Sequence, residues 1–170
     1  MPATRLVTPR LVLRPVAVAD LEPLRAIWSD PAVMAHMGRG TRDAAESMQR
    51  FEELIEHQRR HGFGKWAAAE QASGELIGYC GVELYGNGSD VELGFSLARS
   101  AWGRGYATEA ARAWLDHAFD ALGFARVLAL VKPENAASIR VLEKIGMTQV
   151  GVTRRAGGEW LLYEARSAPP

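Results

Sequence analysis

Only one of the 170 residues is cysteine, and charge of either sign is in no excess: 20 Lys and Arg stand against 20 Asp and Glu. A single thiol, Cys80, makes no internal disulfide, which excludes a secreted disulfide framework. Zero net charge argues against a duplex-DNA or polyanion binder, since those carry a basic excess or a basic arm. No apolar run approaches the roughly 18 to 20 residues of a membrane span. The opening Met1-Pro2-Ala3-Thr4-Arg5 leads into a short Leu/Val alternation and not into a signal core, so a cytoplasmic location is expected. No repeat and no linker interrupts the chain, so one domain over residues 1–170 is expected, with a tail from about 167. The composition, 48% hydrophobic and 24% charged, is that of an ordinary globular chain able to bury a core.

What is present is a change of hydrophobic period along the chain. Arg10-Leu11-Val12-Leu13-Arg14 alternates as a strand does. Asp20 is placed to cap a helix toward Trp28, and Asp30-Pro31 reads as a cap and first-turn proline. A third helix follows Thr41 and ends before Gly62, with Met48, Phe51, Leu54 and Ile55 on one face. Strands at 65–70, 75–84 and 90–97, joined by short turns, imply antiparallel pairing. A long helix through Trp114 follows and stops at Gly123. Val127-Leu128-Ala129-Leu130-Val131 then reads as a strand buried on both faces, so this strand–helix–strand unit implies one parallel pair. A helix over 135–145 and two closing strands complete the expected fold. It is an α/β chain with a mixed, mostly antiparallel sheet of about six to seven strands and helices on both faces.

Chemistry concentrates at three places. After the strand 90–97, the turn Trp102-Gly103-Arg104-Gly105-Tyr106-Ala107 opens a helix. Its two glycines allow close backbone approach, and the helix-start N–H groups face an anion. A strand-to-helix turn often needs glycine anyway, so the motif alone reads equally as a pyrophosphate cradle or as a plain turn. It is neither a Walker loop nor the dinucleotide fingerprint, because Gly-Lys-Ser/Thr and the third glycine are both missing. On the strand before it, Glu92, Gly94 and Ser96 share the face opposite Val91, Leu93, Phe95 and Leu97. Glu92 there is either a strand-end carboxylate paired with an arginine or a base at a cleft mouth. Asn135, with Ser138 three residues on, caps a helix whether or not a ligand lies nearby. His57 and His61 lie four apart on one helix face. The intervening Gln58-Arg59-Arg60 lacks the zincin glutamate and no third ligand is evident, so no metal is expected.

In their order and spacing these stretches resemble the GNAT superfamily of N-acetyltransferases, closest to the branch that acetylates ribosomal-protein N-termini. The resemblance rests on Thr8-Pro9-Arg10-Leu11-Val12-Leu13-Arg14-Pro15, Leu76-Ile77-Gly78 and Glu92-Leu93-Gly94-Phe95. It continues through Trp102 to Ala110 and Asn135 to Met147, and so covers nearly the whole chain. It implies a sheet splayed at its parallel pair, with acetyl-CoA in the gap as cosubstrate. Backbone near Phe95 and Leu97 is expected to meet the pantetheine arm. Trp102, Gly103, Arg104, Gly105, Tyr106 and Ala107 are expected to cradle the pyrophosphate, with Asn135 and Ser138 along the thiol end. Glu92 matches the family's general base. Two residues depart from the wider family: Trp102 replaces a frequent Gln or Arg, and Leu142 replaces the frequent Tyr that protonates the leaving thiolate.

The expected activity is direct transfer of an acetyl group to a primary amine in a ternary complex. A protein N-terminal α-amine is the first choice of acceptor. A small-molecule amine (amino sugar, polyamine or drug) is the second, and a non-catalytic acyl-CoA-binding module the alternative in another class. The expected partners are acetyl-CoA and the acceptor, with no DNA and no membrane, in a monomer or homodimer. The acceptor pocket is expected between the helices of residues 20–61 and the closing hairpin around 154–160.

Overall fold

The computed structural model describes residues 5–86 and 88–168. Met1 to Thr4, Asn87 of the second turn and the last two tail residues lie outside the described residues. Eight strands form one sheet: β1 (Leu6–Val7), β2 (Leu11–Arg14), β3 (Lys65–Glu70), β4 (Leu76–Tyr85), β5 (Asp90–Leu97), β6 (Arg126–Val131), β7 (Thr148–Arg155) and β8 (Gly158–Arg166). Their spatial order is β1-β2-β3-β4-β5-β6-β8-β7, antiparallel throughout except β5 with β6. The strand beyond the expected count is β1, a two-residue segment folded back on Val12 and Leu13.

Among the described residues five α-helices cover the two faces: α1 (Leu21–Ser29), α2 (Pro31–Met34), α3 (Ala44–His61), α4 (Tyr106–Asp120) and α5 (Ala136–Lys144). Adjacent residues of β4 show the division. Tyr79 joins Leu24, Ile27, Trp28, Phe51 and Leu54 of α1 and α3 on one face. Cys80 joins Trp66, Val91, Ala110, Trp114 and Val127 on the other, beneath α4 and α5. This follows from the alternation of side chains along a strand. Burial also pushes the Cys80 thiol well above its ordinary value, which leaves it a packing residue and no nucleophile.

Local chemistry sets the helix ends. Asp43 accepts from Glu46 N–H while the Glu46 carboxylate accepts from Asp43 N–H, a reciprocal cap for α3. Asp30 caps α2 through Ala32 N–H, as its sequence position suggests. Asp20 does something else. Its buried carboxylate takes two bonds from Arg14 and one from Ala17 N–H, and makes no cap bond to α1. On α3, Met48 is exposed, and buried Ser47 takes its place on the inner face. Ser167, expected in the tail, is tied to the Ala125 carbonyl. Among the described residues no helix is long and apolar enough to cross a membrane.

Candidate functional site: a splayed sheet with two joined cavities

The parallel pairing of β5 with β6 holds only at Val91 with Val127 and Glu92 with Leu128. Past that point the strands separate and leave a wedge. The β4–β5 register fixes which β5 groups face it. Ala98 N–H donates to Ile77 C=O, which makes Gly78 and Leu97 a non-hydrogen-bonded pair. The amide and carbonyl of Leu97 therefore point away from β4 and into the wedge. By the two-residue repeat of an unbroken ladder, so do those of Phe95 and Leu93. The Leu97 carbonyl is taken by the indole N–H of Trp102 at 2.9 Å.

Two cavities meet in the wedge. The first, of about 460 Å³, is lined by Phe95, Leu97, Trp102, Gly103, Gly105, Tyr106, Ala107, Asn135 and Ser138 among others. These are all the residues expected at a CoA site except Arg104. The Arg104 guanidinium turns away, bonding Glu70 at 3.0 Å and stacking on the Tyr106 ring, while Tyr106 hydroxyl donates to the same Glu70. The Arg104 side chain is thus paired with a carboxylate on β3, while its backbone stays in the glycine turn.

The turn itself is held from below. Gly105 takes the left-handed conformation (φ 79°) at the start of α4, which a side chain would strain. Arg10 Nη1 donates to the Arg104 carbonyl at 2.7 Å. Glu109, one turn into α4, accepts from Thr8 hydroxyl, Arg10 N–H and Arg10 Nε. Burial works to raise the Glu109 pKa, but these bonds outweigh it and the net direction is down. The Thr8-Pro9-Arg10 stretch is therefore a clamp that fixes the glycine turn. Asn135 accepts from Ser138 N–H at 3.2 Å, so it does cap α5, and both residues also line the two cavities where they join.

The second cavity, of about 300 Å³, is lined by His36, Arg39, Lys65, Glu92, Lys132 and Arg155, with Tyr79, Leu142 and Trp160 in its walls. Glu92 accepts from Arg155 Nη1 at 3.2 Å, and its side chain is 23% exposed. Its cross-strand partner is Glu83, directly opposite. Two facing carboxylates repel, and two cations relieve Glu83: Arg50 at 2.8 Å and Lys65 at 3.1 Å. Burial raises the Glu83 pKa, but Lys65 and Arg50 prevail and hold it at about 2. Gly94 makes the Lys65 position possible, because a Cβ there would lie 2.8 Å from Lys65 Cε.

A loop and a hairpin wall the same cavity. Gly38, in the loop between α2 and α3, abuts the tip of the β7–β8 hairpin: a Cβ on Gly157 would meet the Gly38 carbonyl at 2.8 Å. The helical region and the hairpin therefore both contribute, through His36 to Arg39 on one side and Arg155 to Trp160 on the other. Lys65, Tyr79 and Lys132 are site residues that sequence reasoning missed. Lys65 and Glu83 come to Glu92 only through strand register, which no local motif announces. His57 is occupied elsewhere, its Nδ1 bonded to the Phe63 carbonyl and its Nε2 accepting from Leu84 N–H. Burial lowers its pKa.

A sheet splayed at one parallel pair, with a clamped glycine turn and helix start at the mouth of the gap, is the architecture of an acyl-CoA-dependent acetyltransferase. The chain belongs to the GNAT family: the Acetyltransferase (GNAT) domain matches residues 10–148. It is 36% identical over 167 residues, 96% of each chain, to the protein YkkB of Bacillus subtilis (strain 168). Among solved structures, the acetyltransferase from Agrobacterium tumefaciens str. C58 is 32% identical with a TM-score of 0.87, covering 98% of this chain and 96% of that one. Mycobacterium smegmatis RimJ, solved with CoA-disulfide, is 25% identical with a TM-score of 0.82, covering 98% and 88%. The protein is an acetyl-CoA-dependent N-acetyltransferase.

Proposed function

We propose that the first cavity holds acetyl-CoA and that the second holds the acceptor, an α-amine seated over Glu92. The observation that carries this reading is the placement of the Glu92 carboxylate in the second cavity, which joins the first at Phe95, Asn135 and Ser138. Acetyl-CoA supplies the activated acetyl group. The phosphates fit the glycine turn and the α4 start, where N–H groups are free for an anion. The β5 amides that face the wedge are donors for the amide groups of the pantetheine arm and for an oxygen that gains negative charge.

An amine attacks only when neutral. A chain-terminal amine has a pKa of about 7.7 to 8.0 against about 10.4 for lysine, so it needs less help at neutral pH. Glu92 accepts its proton directly or through water as the new bond forms. Arg155 leaves Glu92 or shares it while the amine is seated. Leu142 has no proton to give, so the leaving thiolate takes its proton from water or departs charged.

Glu92→Gln tests this reading. It lowers kcat by roughly 100-fold, most strongly below the acceptor's pKa, with the KM for acetyl-CoA unchanged. An unaltered pH–rate profile removes Glu92 from the role of base.

A further inference from the structure

Each cation of the acceptor cavity has a carboxylate partner, with one exception. Lys65 pairs with Glu83, Arg155 with Glu92 and Arg39 with Glu46. Lys132, the residue after β6, is 7% exposed and lines the same cavity. Among the described residues no carboxylate lies within ion-pair distance of it. Its Nζ donates to the Gly157 carbonyl and sits 4.7 Å from the Trp160 ring centroid. Both are attractive, but neither carries a full negative charge, and an ammonium has three donors to satisfy. A buried charge without a counter-ion is costly, so this position fits an anion brought by a ligand.

We infer that Lys132 is the counter-ion for a carboxylate on the acceptor. The substrate class is then a primary amine that carries a carboxylate, with the amine at Glu92 and the acid at Lys132. This rests on the reading of the second cavity as the acceptor site. It disfavours polyamines and other polycations, which would set a second ammonium against Lys132. Two sources supply the chemistry: a free amino acid, through its α-carboxylate, or a peptide whose first residue is acidic.

The test is calorimetric binding to the full chain saturated with CoA, where no transfer occurs. Alanine is compared with alaninamide, and Asp-Ala-amide with Asn-Ala-amide. At least one acid is expected to bind roughly 10- to 100-fold more tightly than its amide, as a charge-assisted bond implies. The first pair reports a free amino acid and the second an acidic terminus. Lys132→Gln is expected to abolish that preference with CoA affinity intact, and Lys132→Arg to restore most of it. Equal binding of acid and amide, no binding by either acid, or a preference that survives in Lys132→Gln overturns the inference. Turnover of all four compounds with acetyl-CoA is measured on CoA-free protein: no thiol release with any of them overturns the transfer reading, whereas release with no preference for the acids overturns this inference alone.

Discussion

Replacing Glu83 with glutamine removes the charge shared by Arg50 and by Lys65, which lines the second cavity. Lys65 and Arg50, with side chains 15% and 17% exposed, would then face each other without their shared carboxylate. Breaking a buried ion pair from one side costs about 3–5 kcal/mol. The depressed Glu83 pKa gives a second figure. A carboxylate moved from its ordinary 4.5 to about 2 contributes about 3 kcal/mol. The two figures agree in scale, so Glu83→Gln is expected to lower Tm by roughly 10 °C in a chain of this size. The pH dependence has a definite sign. A depressed carboxylate pKa stabilises fully above its unfolded value and loses that contribution as pH falls through the folded one. The difference between wild type and Glu83→Gln is therefore full above pH 4.5 and vanishes toward pH 2. Removing one stranded cation as well, in Lys65→Met/Glu83→Gln, is expected to recover at least about 1 kcal/mol. Urea unfolding followed by tryptophan fluorescence reads all three proteins. A Glu83→Gln protein within 1 kcal/mol of wild type, or a double variant no more stable than the single one, refutes the reasoning.

Two predictions concern the CoA side. Glu109→Gln weakens the clamp of Thr8 and Arg10 on the glycine turn and is expected to raise the KM for acetyl-CoA about tenfold with kcat retained; an unchanged KM removes the clamp from CoA binding. Gly105→Ala pays only for the left-handed backbone, whereas Gly105→Glu adds negative charge at the helix start proposed to take phosphate. The Glu variant is expected to bind CoA at least about tenfold more weakly than the Ala variant, by direct titration. Equal affinities mean the phosphates lie elsewhere.

The strands were legible because their signals are local. Alternation marks β2, the unbroken Val127 to Val131 run marks the strand beside the gap, and a strand–helix–strand order implies the parallel pair. The glycine turn was legible as a shape, and its family spacing gave it a role. The identities of side-chain partners were not legible. Asp20 looks like a helix cap from its position, but an arginine six residues earlier binds it more strongly than an N–H would. Arg104 sits in the middle of the turn, yet Glu70 on a distant strand draws it away. Glu92 comes to lie opposite Glu83 and over Lys65 only through the register of three strands. Lys132 is the clearest case: a lysine after a strand usually reaches solvent, and only the hairpin tip with Trp160 and Gly157 buries it.

Movement of acetyl from CoA to an amine is read by following free CoA thiol and acceptor mass together. With acetyl-CoA and a panel of α-amines, thiol release is expected to depend on the amine, with one acetyl gained per CoA freed and collapse of both in Glu92→Gln. Tight acetyl-CoA binding with no amine-dependent release across the panel would contradict it.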